Sequence, residues 1–153
     1  MPQAVTITGS RSTGHRREEE YGALFATYVR PFALPGVRFY LGGAIGIDSL
    51  ALGWLARETD VRLSVVVPVR LADQPPEARG VVADMRSRGR LDELVELGGR
   101  SGTEGYHARN RWMVDRSDFV IGFPRADVQE GGGTGYTLDY AASQYKPRLI
   151  VPI

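Results

Sequence analysis

Four clusters of residues in this chain are of types that handle phosphate and sugar. Three are glycine-rich turns: Gly9-Ser10-Arg11-Ser12, Gly42-Gly43-Ala44-Ile45-Gly46-Ile47-Asp48, and Glu130-Gly131-Gly132-Gly133-Thr134-Gly135-Tyr136-Thr137. Glycine lets the backbone turn tightly and approach a ligand closely. N–H groups exposed at such a turn, above all at a helix start, meet an anion. In the first turn, Gly9 supplies the bend, Ser10 and Ser12 supply hydroxyl donors, and Arg11 supplies a guanidinium fork for phosphate. In the second, Gly42 and Gly43 are candidate ligand contacts, and Asp48 stands where it can either cap a helix or touch the ligand. In the third, successive glycines cost backbone entropy that a phosphate nest would account for. Its candidates are Gly132, Gly133, Thr134 and Gly135. The fourth cluster is His107-Ala108-Arg109-Asn110-Arg111-Trp112-Met113-Val114-Asp115. Arg109 and Asn110, near a helix start, can reach the same crevice, whereas Arg111 and Asp115 read as a structural i, i+4 pair.

The elements that must position these clusters follow from hydrophobic periodicity. Apolar, β-branched runs at 3–8, 37–41, 62–67, 118–123 and 148–151 read as strands. Segment 91–97 is ambiguous between a strand and a helical turn and is taken as a strand. Between them, 18–30, a segment from 47, 77–88, 107–116 and 134–145 show helical spacing, for instance Tyr21, Leu24, Phe25, Tyr28 and Val29 on one face. The acidic triplet Glu18-Glu19-Glu20 suits a helix start, and 98–105 reads as a glycine-rich loop. Strands alternating with helices imply right-handed βαβ crossovers and a mostly parallel sheet between helix layers. The expected architecture is therefore α/β, a Rossmann-like three-layer sandwich, with 1–153 as one domain. Ligands on such sheets bind beyond the carboxyl ends of the strands, where these turns fall.

Composition narrows the chemistry. Of 153 residues, 42% are hydrophobic and 24% charged, with a net charge of +1, so no global field draws the chain to DNA or membrane. With no cysteine, thiol catalysis and cysteine-rich zinc sites are excluded, and His15 and His107 alone are too few for an ordinary catalytic zinc site unless carboxylates or a second chain help. There is no G-x-x-x-x-G-K-[ST], no G-x-G-x-x-G after the first strand and no G-x-S-x-G elbow. The N-terminal segment lacks a signal-peptide pattern, and a soluble, cytoplasmic protein is expected. Trp54 sits on an apolar helix face and is expected in the core.

Taken in order, GSRS, GGAIGID, ARNRWMVDRSDFVIGF and GGGTGYTLDYA resemble the Rossmann-like DprA/LOG (SLOG) superfamily over nearly the whole chain. The nearest likeness is to its YpsA/YspA and DprA branches. This resemblance implies a nucleotide or nucleotide-derived ligand at the carboxyl edge of the sheet, and a homodimer. LOG members are phosphoribohydrolases that carry an R-K pair and a P-G-G-x-G-T-x-x-E loop. Here the pair is Arg109-Asn110, the proline is missing, Tyr136 replaces threonine, and Asp139 falls at the glutamate position.

Three functions are expected in this order. The first is binding or sensing of a nucleotide-derived ligand. The second is N-glycosidic hydrolysis of nucleoside monophosphates, with Asp139 stabilising the ribosyl cation or activating water and Arg109 holding phosphate. The third is DprA-like binding of single-stranded DNA, to which the cluster Arg11, Arg16 and Arg17 and stacking aromatics would contribute. No carboxylate cluster calls for a metal; Mg²⁺ would enter only with a phosphorylated ligand.

Overall fold

Short branched runs that bury both faces, each joined to the next by an amphipathic helix, close into one six-stranded parallel sheet. The computed structural model describes residues 1–127 and 132–153. Its strands are β1 (Ala4–Gly9), β2 (Arg38–Leu41), β3 (Arg62–Val67), β4 (Glu93–Glu96), β5 (Phe119–Phe123) and β6 (Arg148–Ile150). Its helices are α1 (Glu18–Tyr28), α2 (Ile47–Glu58), α3 (Pro76–Ser87), α4 (Gly102–Asp115) and α5 (Gly133–Ser143). Strand order is β4-β3-β2-β1-β5-β6. Val5 pairs with Phe39 on one side and Phe119 on the other.

The period-2 alternation of the strands divides the core in two. Val5, Ile7, Phe39, Leu41, Leu63 and Val65 pack with Tyr21, Phe25, Leu55, Val82 and Met85 of α1 to α3. Trp54 lies in this layer, 5% exposed, with its ring 5.9 Å from that of Phe25. On the other face Val120 meets Val114, Leu138 and Ala141, while Tyr40 and Val66 meet Met113. The three-layer α/β expectation is thus observed. Among the described residues, no helix is long and apolar enough to cross a membrane.

From β1 the chain steps outward through β2, β3 and β4, then returns to β5 beside β1. That reversal opens a crevice at the carboxyl ends of β1 and β5. The segment at 91–97 does form a strand, Glu93–Glu96.

Three local expectations are corrected. Helix α4 begins at Gly102, not at 107, so half of the supposed loop is helical. Gly102 takes a left-handed φ of +76°, and Gly105 lies so close to the Arg100 carbonyl that no side chain fits. Gly102 thus serves the backbone conformation and Gly105 the packing of the helix start. Tyr145, expected on the last helix face, is 95% exposed and beyond α5, at φ +57°. Arg111 and Asp115 do not pair along α4. Arg111 instead donates to the Tyr136 hydroxyl at 2.5 Å, and Asp115 accepts from the Tyr140 hydroxyl at 2.6 Å, so both clasp α4 to α5.

Candidate nucleotide-binding cavity

A cavity of about 490 Å³ occupies the crevice. Its wall comes from the turn after β1 (Gly9, Ser10, Arg11, Ser12), the start of α2 (Ala44, Asp48), α4 (Tyr106, His107, Arg109, Asn110, Met113) and the start of α5 (Gly132, Gly133, Thr134). Of the anticipated third turn, Glu130 and Gly131 lie outside the described residues. The deeper side chains are buried: Asp48 is 8% exposed, Arg109 4%, Asn110 5% and Thr134 4%. Arg11 and Ser12 are exposed at the rim.

The first turn is built to hold its shape. The Ser12 N–H donates to Ser10 Oγ at 3.1 Å. Arg125, beyond β5, donates to Ser12 Oγ at 2.8 Å and ion-pairs with Asp127 at 2.5 Å. The Arg11 guanidinium lies 4.3 Å from the Tyr106 ring centroid, within cation–π range. It makes no ion pair or hydrogen bond among the described residues, so its donors are available at the mouth.

The second turn has a different task from the one its glycines suggested. Gly42 and Gly43 do not line the cavity. Gly42 is pressed against the Arg109 guanidinium and the Asp48 carboxylate; a Cβ would lie 2.5 Å from Arg109 Cζ and 2.8 Å from Asp48 Oδ2. Gly43 has φ +64° against Val65, and Gly46 has φ +80°, where a Cβ would come within 2.6 Å of Arg11 Cα. The Ile47 N–H, first in α2, donates to the Ser10 carbonyl at 3.0 Å. Of the amides expected to face an anion, that of Ile47 braces the first turn and that of Ala44 is taken by Asp48. Asp48 caps none of its own helix's N–H groups; its Oδ2 accepts backward from the Ala44 N–H at 3.3 Å.

Arg109 is likewise occupied. Its NH1 group donates to the Gly42 carbonyl and, at 3.2 Å, to the Val66 carbonyl, while Nε donates to Asn110 Oδ1 at 2.7 Å. Burial pulls its pKa down and pushes the Asp48 carboxyl up, each opposed by the other's charge. With its carbonyl oxygen engaged by Arg109, Asn110 turns its amide nitrogen towards Gly133, where a Cβ would stand 3.6 Å from Nδ2. That nitrogen has no acceptor among the described residues, and neither does the Thr134 hydroxyl a partner. Beside them, the amides of Gly133, Thr134 and Gly135 open an 11-residue helix and have no intrahelical partner. Gly135 does not line the cavity. Asn110, Thr134 and the α5 amides together form a cluster of donors that suits one phosphate.

Asp139 is not brought to this site. It lies on the exposed face of α5, away from the cavity wall, so the carboxylate assigned to glycosidic hydrolysis is on the wrong side of its helix. Tyr106 was missed from the sequence because α4 was started one turn too late. Counted from Gly102, Tyr106, Arg109, Asn110 and Met113 share one helix face. His107, adjacent, stacks on Tyr136 with ring centroids 3.7 Å apart and planes within 7°.

Comparison with known proteins gives no matching family model and no matching curated protein. Two solved structures share the fold. DNA processing protein A from Helicobacter pylori, described for its single-stranded DNA binding mode, superposes with a TM-score of 0.67 at 19% identity, over 98% of this chain and 65% of that one. DprA from Streptococcus pneumoniae superposes with a TM-score of 0.67 at 18% identity, over 99% of this chain and 54% of that one. The chain thus spans less than two thirds of either relative. At these identities the likeness is one of architecture: this chain has the Rossmann-like fold seen in the DNA processing A proteins.

Proposed function

We propose that this chain binds single-stranded DNA by holding one nucleotide phosphate in the cavity between β1 and β5. The observation that carries this reading is the pair of unpartnered donors, Asn110 Nδ2 and Thr134 Oγ1, on side chains more than nine-tenths buried beside the α5 amides. Both groups line the cavity, and an anion seated between them would accept from both at once, with donors already held in place by their buried side chains. Arg11, stacked on Tyr106, adds a positive charge at the rim. A single-stranded ligand is favoured by the fold shared with the H. pylori protein, whose structure describes that binding.

A free nucleotide is the second reading, favoured by the cavity volume of about 490 Å³, which is in the range of small-ligand pockets. Fluorescence anisotropy with a labelled oligothymidylate, titrated at rising salt, tests the first reading. Affinity should fall steeply with salt, and Arg11→Ala should weaken it. Salt-independent or absent binding of the strand, with binding of mononucleotides retained, would transfer the site to the second reading.

A further inference from the structure

Among the described residues lining the cavity, Asp48 is the one acid. It is out of place in a wall that otherwise offers donors. It is 8% exposed, held by the Ala44 N–H and backed by Arg109. An ionised carboxylate only accepts hydrogen bonds, so it cannot hold a phosphate and repels a second one. Its ligand partner must be a hydroxyl or an N–H. If phosphate sits at the start of α5, the donors covalently nearest to it in a nucleotide are the sugar hydroxyls. An internal nucleotide of a DNA strand has none, because its 3′ oxygen is esterified and its 2′ carbon carries only hydrogen. A strand interior would cover Asp48 without giving the carboxylate a sugar hydroxyl in place of the water it displaces, which costs binding energy.

Resting on the reading above, we propose that Asp48 accepts a hydrogen bond from a free sugar hydroxyl. The cavity then selects a nucleotide unit with a free 2′ or 3′ hydroxyl, supplied either by the 3′ end of a strand or by a free nucleotide. This makes Asp48 a specificity-determining residue as well as the counter-charge to Arg109.

The test measures affinities of the full chain for two matched pairs of probes. One pair is an oligothymidylate ending in 3′-OH against the same strand ending in 3′-deoxythymidine. The other is AMP against 2′,3′-dideoxy-AMP. Loss of the hydroxyl should weaken binding about tenfold in at least one pair, the usual scale for a hydrogen bond to a charged group. A penalty in the strand pair identifies a strand end as the source, and a penalty confined to the mononucleotide pair identifies the free nucleotide. Asp48→Asn, which keeps shape and fold but not charge, should cut that preference at least threefold, with its melting curve confirming a folded protein. Equal affinities within both pairs, or an undiminished preference in Asp48→Asn, would overturn the proposal while leaving phosphate binding intact. Failure of the wild-type protein to bind any of the four probes would overturn both this proposal and the reading on which it rests.

Discussion

Arg109 Nε donates to the Oδ1 of its neighbour Asn110 at 2.7 Å, and this bond decides which end of the Asn110 amide faces the cavity. The arginine that the sequence offers as a phosphate ligand therefore acts through the asparagine beside it. Removing the donor should weaken ligand binding without moving the helix. Asn110→Ala is expected to lower affinity for a nucleotide ligand about tenfold. Asn110→Asp keeps the bond to Arg109 but replaces the donor with a negative acceptor, so it should bind more weakly still. Isothermal titration of both variants checks the order, and wild-type affinity in Asn110→Asp would contradict it.

Arg109 itself is a structural cation. Its guanidinium bonds to the Gly42 and Val66 carbonyls and faces the buried Asp48. Arg109→Ala leaves those acceptors and that carboxylate uncompensated, and should cost roughly 3 kcal/mol of stability by urea denaturation. Arg109→Lys should recover little, because a single ammonium cannot span two carbonyls and the Asn110 amide.

Gly46 braces the first turn from below. At φ +80°, with a Cβ reaching 2.6 Å from Arg11 Cα, Gly46→Ala must displace the Ser10–Arg11 backbone. A loss of about 2 kcal/mol in stability is expected, accompanied by loss of ligand affinity. Gly14→Ala, where a Cβ meets nothing within 4 Å, is the control and should leave both nearly unchanged.

Acidity reports on Asp48 directly. Burial raises its carboxyl above the ordinary range, against the pull of Arg109 and of the Ala44 and Gly42 N–H groups. The folded protein then holds this proton more tightly than the unfolded chain does. The resulting stability is complete below the unfolded pKa and is lost as pH rises through the folded one. Asp48→Asn cannot ionise and lacks this dependence, so its melting temperature relative to wild type should climb as pH rises above the ordinary carboxylate range of about 4. Glu20 and Asp127, held below the ordinary range by Arg17 and Arg125, act in the opposite direction in both proteins and cancel in the difference. A difference flat with pH would contradict the assignment.

The layers and the placement of the crevice were legible in the sequence because both rest on periodicity: Val5 and Ile7 alternate with Thr6, and Phe25 recurs four residues after Tyr21. The turn after β1 and the start of α5 were legible as well, since both glycine turns fall at the carboxyl edge of the sheet. What was hidden depends on tertiary partners. Nothing in GGAIGID tells that Gly42 makes room for a guanidinium from α4, some 67 residues on, or that Gly46 makes room for the first turn. Nor does spacing tell which side of α5 points inward. Asp139 follows Leu138 in sequence, yet Leu138 is buried against Gly122 and Asp139 faces solvent.

The most direct test of the central claim is a ¹⁵N-resolved NMR titration of the protein with a short oligothymidylate. If the cavity holds a nucleotide phosphate, the largest shifts will fall on the amides of Arg11, Ser12, Gly133 and Thr134 and on the Asn110 side-chain NH₂. Resonances of the distant β4 edge, Glu93–Glu96, should stay in place. Saturable binding with those five signals unmoved would contradict the account.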